Sequence, residues 1–108
     1  MASKLHLKAS PTLADLQQYV REMMQERGFT NTVEQRFMML FEECGEFAKA
    51  ARKEAGMGYA KDVKPMDAAE EAADVLIICL GICNLLDIDL EQAFRDKEER
   101  NKKRIWRK

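Results

Sequence analysis

The segment Phe41–Phe47, FEECGEF, places acidic residues inside a stretch that otherwise has the composition of a buried helix. Glu43 and Glu46 are three positions apart, a spacing that puts two side chains on the same face of a helix. On a helical projection both acids share a side with apolar residues, whereas Glu42 points the other way. Charged residues that face solvent rarely share a side with apolar groups. We therefore interpret Glu43 and Glu46 as part of a site.

A second acidic segment, Glu70–Asp74 (EEAAD), repeats the pattern with Glu71 and Asp74. If the two helices face each other, they gather four carboxylates, and such neighbours raise one another's pKa. Each buried ion without a partner also costs several kcal/mol. A hard divalent cation with oxygen ligands removes both penalties, which predicts Mg²⁺, with Mn²⁺ as a substitute. Neither segment contains histidine, which disfavours zinc or di-iron.

The composition limits the class of protein. A chain of 108 residues forms one domain, here 1–108. Its 18 Lys and Arg residues balance 19 acids, so nothing predicts a nucleic-acid partner. The longest apolar stretch, 75–86, is shorter than the roughly 20 residues that span a bilayer, so no membrane association is expected. Three cysteines without a disulfide framework favour a reducing, cytoplasmic location.

The periodicity of apolar residues and the capping signals predict an all-α fold that resembles a four-helix bundle. We expect helices at about 12–27, 33–54, 68–86 and 90–105 after a flexible arm at 1–10. The apolar run 37–41 covers every face of the second helix and predicts central burial. The third helix is apolar on all sides, which predicts an oligomer, either a homodimer or a dimer of dimers.

The inward-facing line of the fourth helix changes from apolar to basic along the chain. It begins at Leu90 and Phe94 and continues with Lys97, Asn101 and Arg104. If this helix folds back on the third, Asn101 and Arg104 come level with Asp74 and Glu71, and basic side chains reach the acids. We therefore expect them to bind substrate phosphate groups beside the cation.

These motifs together resemble the MazG-like all-α nucleoside triphosphate pyrophosphohydrolases. The chain has that family's E-E-x-x-E motif at 42–46, its E-x-x-D motif at 71–74 and its closing K-x-x-x-N-x-x-R motif at 97–104. FEECGEFAKAARK is similar to the family's second helix, and EEAADVLIICLGICNLLDIDLEQAF to its third helix and the following turn. The resemblance covers roughly residues 30 to 106.

The resemblance implies an enzyme that converts a nucleoside triphosphate and water to the monophosphate and pyrophosphate, which would suit nucleotide-pool house-cleaning. It implies Mg²⁺ held by four acids, a metal-activated water that attacks the α-phosphorus, and triphosphate contacts from the basic fourth helix. The implied metal ligands are Glu43, Glu46, Glu71 and Asp74, and the implied phosphate-binding residues are Lys97, Asn101 and Arg104. The candidate catalytic acids are Glu42 and Glu46, with Glu42 as an outer-shell residue or a water-orienting base.

The sequence does not determine which nucleobase the substrate carries. The candidates for base binding are Phe29, Arg36, Phe37 and Trp106. Phosphoribosyl-ATP pyrophosphohydrolase is an alternative within the same fold, although its third helix typically has aromatic and histidine residues soon after the aspartate, where this chain has Val75, Leu76 and Ile77. A non-catalytic helical dimerisation module is an alternative from another class.

Overall fold

The computed structural model describes residues 2–58 and 67–107. Within these ranges the fold consists of four helices and no strands, which confirms the all-α prediction. The helices are α1 (Leu13–Glu26), α2 (Val33–Glu54), α3 (Ala68–Leu85) and α4 (Leu90–Asn101). None of them is long and apolar enough to cross a membrane.

Polar side chains fix where each helix begins. Thr12 and Thr32 accept hydrogen bonds from the backbone N–H of the N3 residue, and the N3 side chain accepts one in return, which satisfies the free donors of the first turn. Asp67 and Asp89 cap α3 and α4 through their carboxylates. Gly28, with a φ of 70°, supplies the left-handed conformation that follows α1.

The buried core lies where α1 packs against α3. Val20, Met23 and Met24 from α1 meet Leu80 from α3, which is 1% exposed. Helix α2 packs along α3, and α4 packs mainly against α1. Contacts pair Arg36 with Gly81 and Glu43 with Glu71 and Asp74, so residue numbers rise along α2 as they fall along α3, and these two helices are antiparallel.

The predicted central burial of α2 is wrong for the single chain. Met38 and Phe41 are 71% and 70% exposed, and Phe37, Met39 and Phe47 are exposed as well. The reason is that α2 uses one side to contact α3, and no second helix of the described chain covers its opposite side. An apolar run of this kind does indicate burial, but the surface that buries it need not belong to the same chain.

The expected course of the fourth helix is also wrong. Helix α4 ends at Asn101, so Arg104 lies beyond the helix and does not continue its stripe. The Trp106 Nε1 donates to the Asn101 carbonyl oxygen at 3.0 Å, so the last residue of α4 has an acceptor satisfied by a side chain beyond the helix. The α4 residue Glu91 accepts a hydrogen bond from the Ala14 N–H at 3.2 Å, because the first N–H groups of α1 need acceptors and attract negative charge.

Candidate active site

Three carboxylates meet between α2 and α3. Glu43, Glu71 and Asp74 each offer an oxygen atom, and these atoms all lie within 4.8 Å of one another. Glu43 and Glu71 are half-buried, and Asp74 is exposed. The antiparallel packing of the two helices brings the acids together, and their i, i+3 spacing on α3 keeps Glu71 and Asp74 on one side. Three oxygen donors at this separation fit a hard divalent cation.

The environment of Glu43 is unfavourable for its negative charge. Burial raises the pKa of Glu43, and the charges of Asp74, Glu71 and Glu42 raise this pKa further. No lysine or arginine in residues 2–58 and 67–107 forms an ion pair with any acid of the cluster. A divalent cation would supply the missing positive charge, so the acids present fit the metal that the sequence predicts.

Glu46 and Glu42 take different positions from the three clustered acids. Glu46 is half-buried one helical turn beyond Glu43, but it is not part of the group whose oxygen atoms lie within 4.8 Å. Glu42 is exposed, and its charge acts on Glu43. The structure therefore brings together three of the four expected metal ligands and leaves Glu46 next to them on the same helix.

Among the basic residues that the structure describes between positions 97 and 107, none forms an ion pair with the clustered acids. Lys97 and Arg104 are exposed, while Asn101 is half-buried. The Asn101 Oδ1 is buried and has no hydrogen-bond partner among the described residues. Such a group needs a donor from elsewhere, because an unmatched buried acceptor is destabilising.

A cavity of about 190 Å³ opens beside the acid cluster, and Asp74 belongs to both. The polar side chains around it are Arg27, Asn31 and Arg36, and the remaining walls are methionine, phenylalanine and isoleucine side chains. Two of the residues that we considered for base binding, Phe29 and Arg36, line this cavity. The sequence does not predict Arg27 and Asn31 as site residues, because they lie at and just after the end of α1, where no periodic pattern relates them to the acids.

The other two base-binding candidates lie elsewhere. Phe37 does not line the cavity; its ring centre is 6.5 Å from that of Phe41, and both rings are exposed on α2. Trp106 is 61% exposed after the end of α4 and donates to Asn101. In the single chain these two aromatic residues therefore contribute to surface rather than to the cavity beside Asp74.

Comparison with known families agrees with this arrangement. The family model described as phosphoribosyl-ATP pyrophosphohydrolase matches residues 10–101, which includes all four helices and the three clustered acids. No curated protein and no solved structure matched the chain. The chain belongs to the phosphoribosyl-ATP pyrophosphohydrolase family, within the MazG-like all-α nucleoside triphosphate pyrophosphohydrolase superfamily.

Proposed function

We propose that this protein is a Mg²⁺-dependent enzyme that hydrolyses a nucleoside triphosphate to the monophosphate and pyrophosphate. The observation that carries the proposal is the position of Asp74, which belongs both to the carboxylate cluster and to the wall of the cavity. This arrangement would put a metal-bound triphosphate next to a space for the rest of the nucleotide. Membership in a pyrophosphohydrolase family supports the same type of reaction.

The acids of α2 and α3 would hold the metal. Glu43, Glu71 and Asp74 are the proposed ligands in the free protein, and Glu46 is proposed to join them or to orient water once substrate is present. Bound Mg²⁺ neutralises phosphate charge and lowers the pKa of a coordinated water. Glu42, which is exposed beside Glu43, is the proposed outer acid that accepts a proton from water.

Positive charge for the leaving pyrophosphate is proposed to come from Lys97 and Arg104, with Asn101 as a neutral hydrogen-bond donor. Charge-assisted hydrogen bonds to phosphate oxygens are stronger than neutral ones, which suits charge that builds up as the bond to the α-phosphorus breaks. The unpartnered Asn101 Oδ1 supports a role for this region in contacts outside the single chain. Replacing each residue with alanine should raise KM for the triphosphate.

A second copy of the chain is the proposed partner. The exposed apolar side chains of α2, led by Met38 and Phe41, exceed what a helix normally shows to solvent. Self-association as a homodimer or a dimer of dimers would cover them and would give α2 the burial that its sequence predicts. It would also bring further side chains to the α2 side of the site.

Phosphoribosyl-ATP is the second candidate substrate, and the family match supports it. The sequence favours ordinary nucleoside triphosphates over this substrate, because Val75, Leu76 and Ile77 stand where aromatic and histidine residues are expected. The family match gives it equal weight. Both reactions release pyrophosphate by cleaving the same bond, so the acid cluster serves either substrate.

The test is a substrate panel with detection of pyrophosphate and of phosphate. It should contain the ordinary ribo- and deoxyribonucleoside triphosphates, several oxidised or methylated ones, and phosphoribosyl-ATP, each with Mg²⁺ and with a chelator. We expect Mg²⁺-dependent release of pyrophosphate, abolished in Asp74→Asn. Release of phosphate, or turnover that persists with the chelator, would contradict the proposal, and the substrate with the highest kcat/KM decides between the two candidates.

A further inference from the structure

A second cavity adjoins the one beside the acid cluster. It has a volume of about 210 Å³ and includes Asn84, and we call it the distal cavity. Met24, Phe29 and Arg36 line both cavities. Asp74 and Asn84 both belong to α3, and a helix rises about 1.5 Å per residue, so about 15 Å separates them along its axis. The two cavities therefore form one elongated cleft with the acid cluster at one end.

The distal cavity has a positively charged lining. Arg21 and Arg36 both border it, and none of the described aspartates or glutamates does. Its other polar side chains are the neutral amides of Gln25 and Asn84. Neither arginine forms an ion pair within residues 2–58 and 67–107. The distal cavity therefore favours an anion, in contrast to the cavity that Asp74 borders.

Both arginines have hydrogen-bond donors available for a ligand. Arg36 uses Nη1 to bind the Gly81 carbonyl oxygen, and Arg21 uses Nη2 to bind the Asn84 Oδ1, each at 3.0 Å. A guanidinium carries five N–H donors, so these bonds occupy only part of each side chain. Among the described residues, Asn101 Oδ1 is the one buried side-chain nitrogen or oxygen atom without a partner. The remaining nitrogens of Arg36 are thus accessible and not sealed in the core.

A phosphate group matches this lining. The planar guanidinium fits phosphate oxygen atoms in a two-pronged geometry, and its hydrogen bonds to them are charge-assisted. A phosphate monoester carries about two negative charges at neutral pH, which balances two arginines. The volume of about 210 Å³ is below the roughly 300 Å³ of the smallest cavities that enclose a drug-sized ligand. The distal cavity therefore suits one end of a ligand that continues into the adjoining cavity.

We infer that the distal cavity binds a second phosphate group of an elongated nucleotide, through Arg21 and Arg36, while the triphosphate of the same molecule lies at the acid cluster. The inference rests on the proposed hydrolysis at that cluster and adds the subsite that selects the substrate. The methionine, phenylalanine and isoleucine side chains of the adjoining cavity suit the base between the two phosphate positions.

This arrangement discriminates between the two candidate substrates. An ordinary nucleoside triphosphate has phosphates at one end only and brings no anion to the distal cavity. Phosphoribosyl-ATP carries a further ribose with its own phosphate on the adenine ring, away from the triphosphate. It alone of the two reaches both ends of the cleft, so Arg21 and Arg36 act as specificity-determining residues in favour of phosphoribosyl-ATP.

Calorimetry with phosphoribosyl-AMP and AMP, each with Mg²⁺, tests the inference in the wild-type protein without turnover. We expect phosphoribosyl-AMP to bind at least tenfold more tightly, because charge-assisted hydrogen bonds to phosphate are strong. An analogue that keeps the second ribose and lacks only its phosphate separates the two parts of the added group. It should lose most of the gain. If it binds as tightly as phosphoribosyl-AMP, the inference is overturned.

Arg21→Met provides the main variant, because Arg21 is exposed and its replacement does not disturb the core. The preference for phosphoribosyl-AMP over AMP should fall at least fivefold, and Arg21→Lys, which keeps the charge, should retain part of it. The buried Arg36→Met should show the same loss of preference if it folds. The control Arg95→Met removes a guanidinium from the groove beside Leu13 and should keep the wild-type preference. An equal loss of affinity for both nucleotides in Arg21→Met would overturn the inference.

These measurements separate the inference from the proposed function. Tighter binding of phosphoribosyl-AMP that depends on Arg21 supports the distal phosphate site even if no member of the substrate panel releases pyrophosphate, a result that would reject the proposed function alone. Equal affinities for phosphoribosyl-AMP and AMP, or no binding of phosphoribosyl-AMP, overturn the inference even if ordinary triphosphates are hydrolysed.

Discussion

The guanidinium of Arg36 donates from Nη1 to the carbonyl oxygen of Gly81 at 3.0 Å and so connects α2 to the C-terminal half of α3. The contact depends on the missing side chain of residue 81. An added Cβ would lie 2.5 Å from the Met24 Cε and 3.2 Å from the Arg36 Nη1. Three helices therefore meet at one glycine, beside the cavity that Met24 and Arg36 both line.

Gly81→Ala should change substrate affinity more than it changes stability. The atoms that the new Cβ meets are the ends of flexible side chains, which can move, and alanine is favoured over glycine in a helix by about 1 kcal/mol. We expect the free energy of unfolding to change by less than about 1 kcal/mol and KM to rise, because Met24 moves into the cavity. Gly45→Ala is the matched control, since its Cβ meets no atom within 4 Å, and it should stabilise the chain by roughly 0.5–1 kcal/mol. An unchanged KM in Gly81→Ala would argue against this cavity as a substrate site.

Gln17→Ala should destabilise the chain by about 2–3 kcal/mol in denaturant unfolding. The Gln17 side chain donates to the Asn84 Oδ1 at 3.0 Å and to the Ile88 carbonyl oxygen at 2.6 Å, and it accepts from the Leu90 N–H at 3.1 Å. Truncation leaves the Ile88 carbonyl oxygen and the Leu90 N–H without the Gln17 side chain, and the buried Asn84 Oδ1 keeps only its bond from Arg21. The neighbouring Gln18 is exposed, so Gln18→Ala should stay within about 0.5 kcal/mol of wild type. Similar losses in both variants would contradict the importance of this network.

Without metal, the free energy of unfolding should fall as pH rises above 4.5, the ordinary pKa of a glutamate side chain. The pKa of Glu43 is raised in the folded chain, so the folded state holds more protons between the ordinary and the raised value. Stability is therefore lost as pH rises through this interval and levels off above it. In Glu43→Gln this contribution disappears, and the metal-free variant should be more stable than wild type at neutral pH. Greater stability of the metal-free wild type would contradict the prediction.

With Mg²⁺ bound, wild type should instead be more stable than Glu43→Gln. A ligand that binds only the folded state at a hundred times its Kd stabilises it by about 2.7 kcal/mol. Thermal unfolding with and without Mg²⁺ should show this stabilisation in wild type and not in Glu43→Gln. The control Glu54→Gln changes an exposed acid at the end of α2 and should respond to Mg²⁺ as wild type does. No response of wild type to Mg²⁺ would exclude the acid cluster as a metal site.

Phe41→Glu should convert an oligomer into a monomer in sedimentation experiments. Phe41 is 70% exposed in the single chain, and a charge introduced at an apolar interface is left without a partner. We expect wild type to sediment as a dimer or larger species at micromolar concentration. Leu7→Glu, at an exposed apolar residue outside α2, should leave the mass unchanged. A monomeric wild type would contradict the proposed self-association.

Local sequence was sufficient to predict the number and type of helices. The capping residues Thr32, Asp67 and Asp89 occupy the positions where α2, α3 and α4 begin, because capping depends on groups within one helical turn. The meeting of Glu43 with Glu71 and Asp74 was expected on the condition that the two helices face each other, and the structure brings these three acids together. The place of α4 could not be predicted in this way. The apolar stripe of α4 could pack against either α1 or α3. The contact of Glu91 with the first turn of α1 shows which of the two helices it meets.

The sequence by itself determined the helices and the family, because capping residues and motifs depend on residues a few positions apart. Only the tertiary structure decided that Glu46 lies outside the three-carboxylate cluster, that α2 is exposed on one side, and that Arg36 is buried. It also decided that Arg27 and Asn31 border the same cavity as Asp74. These properties depend on the distances between helices, and periodicity along one helix carries no information about what packs against it.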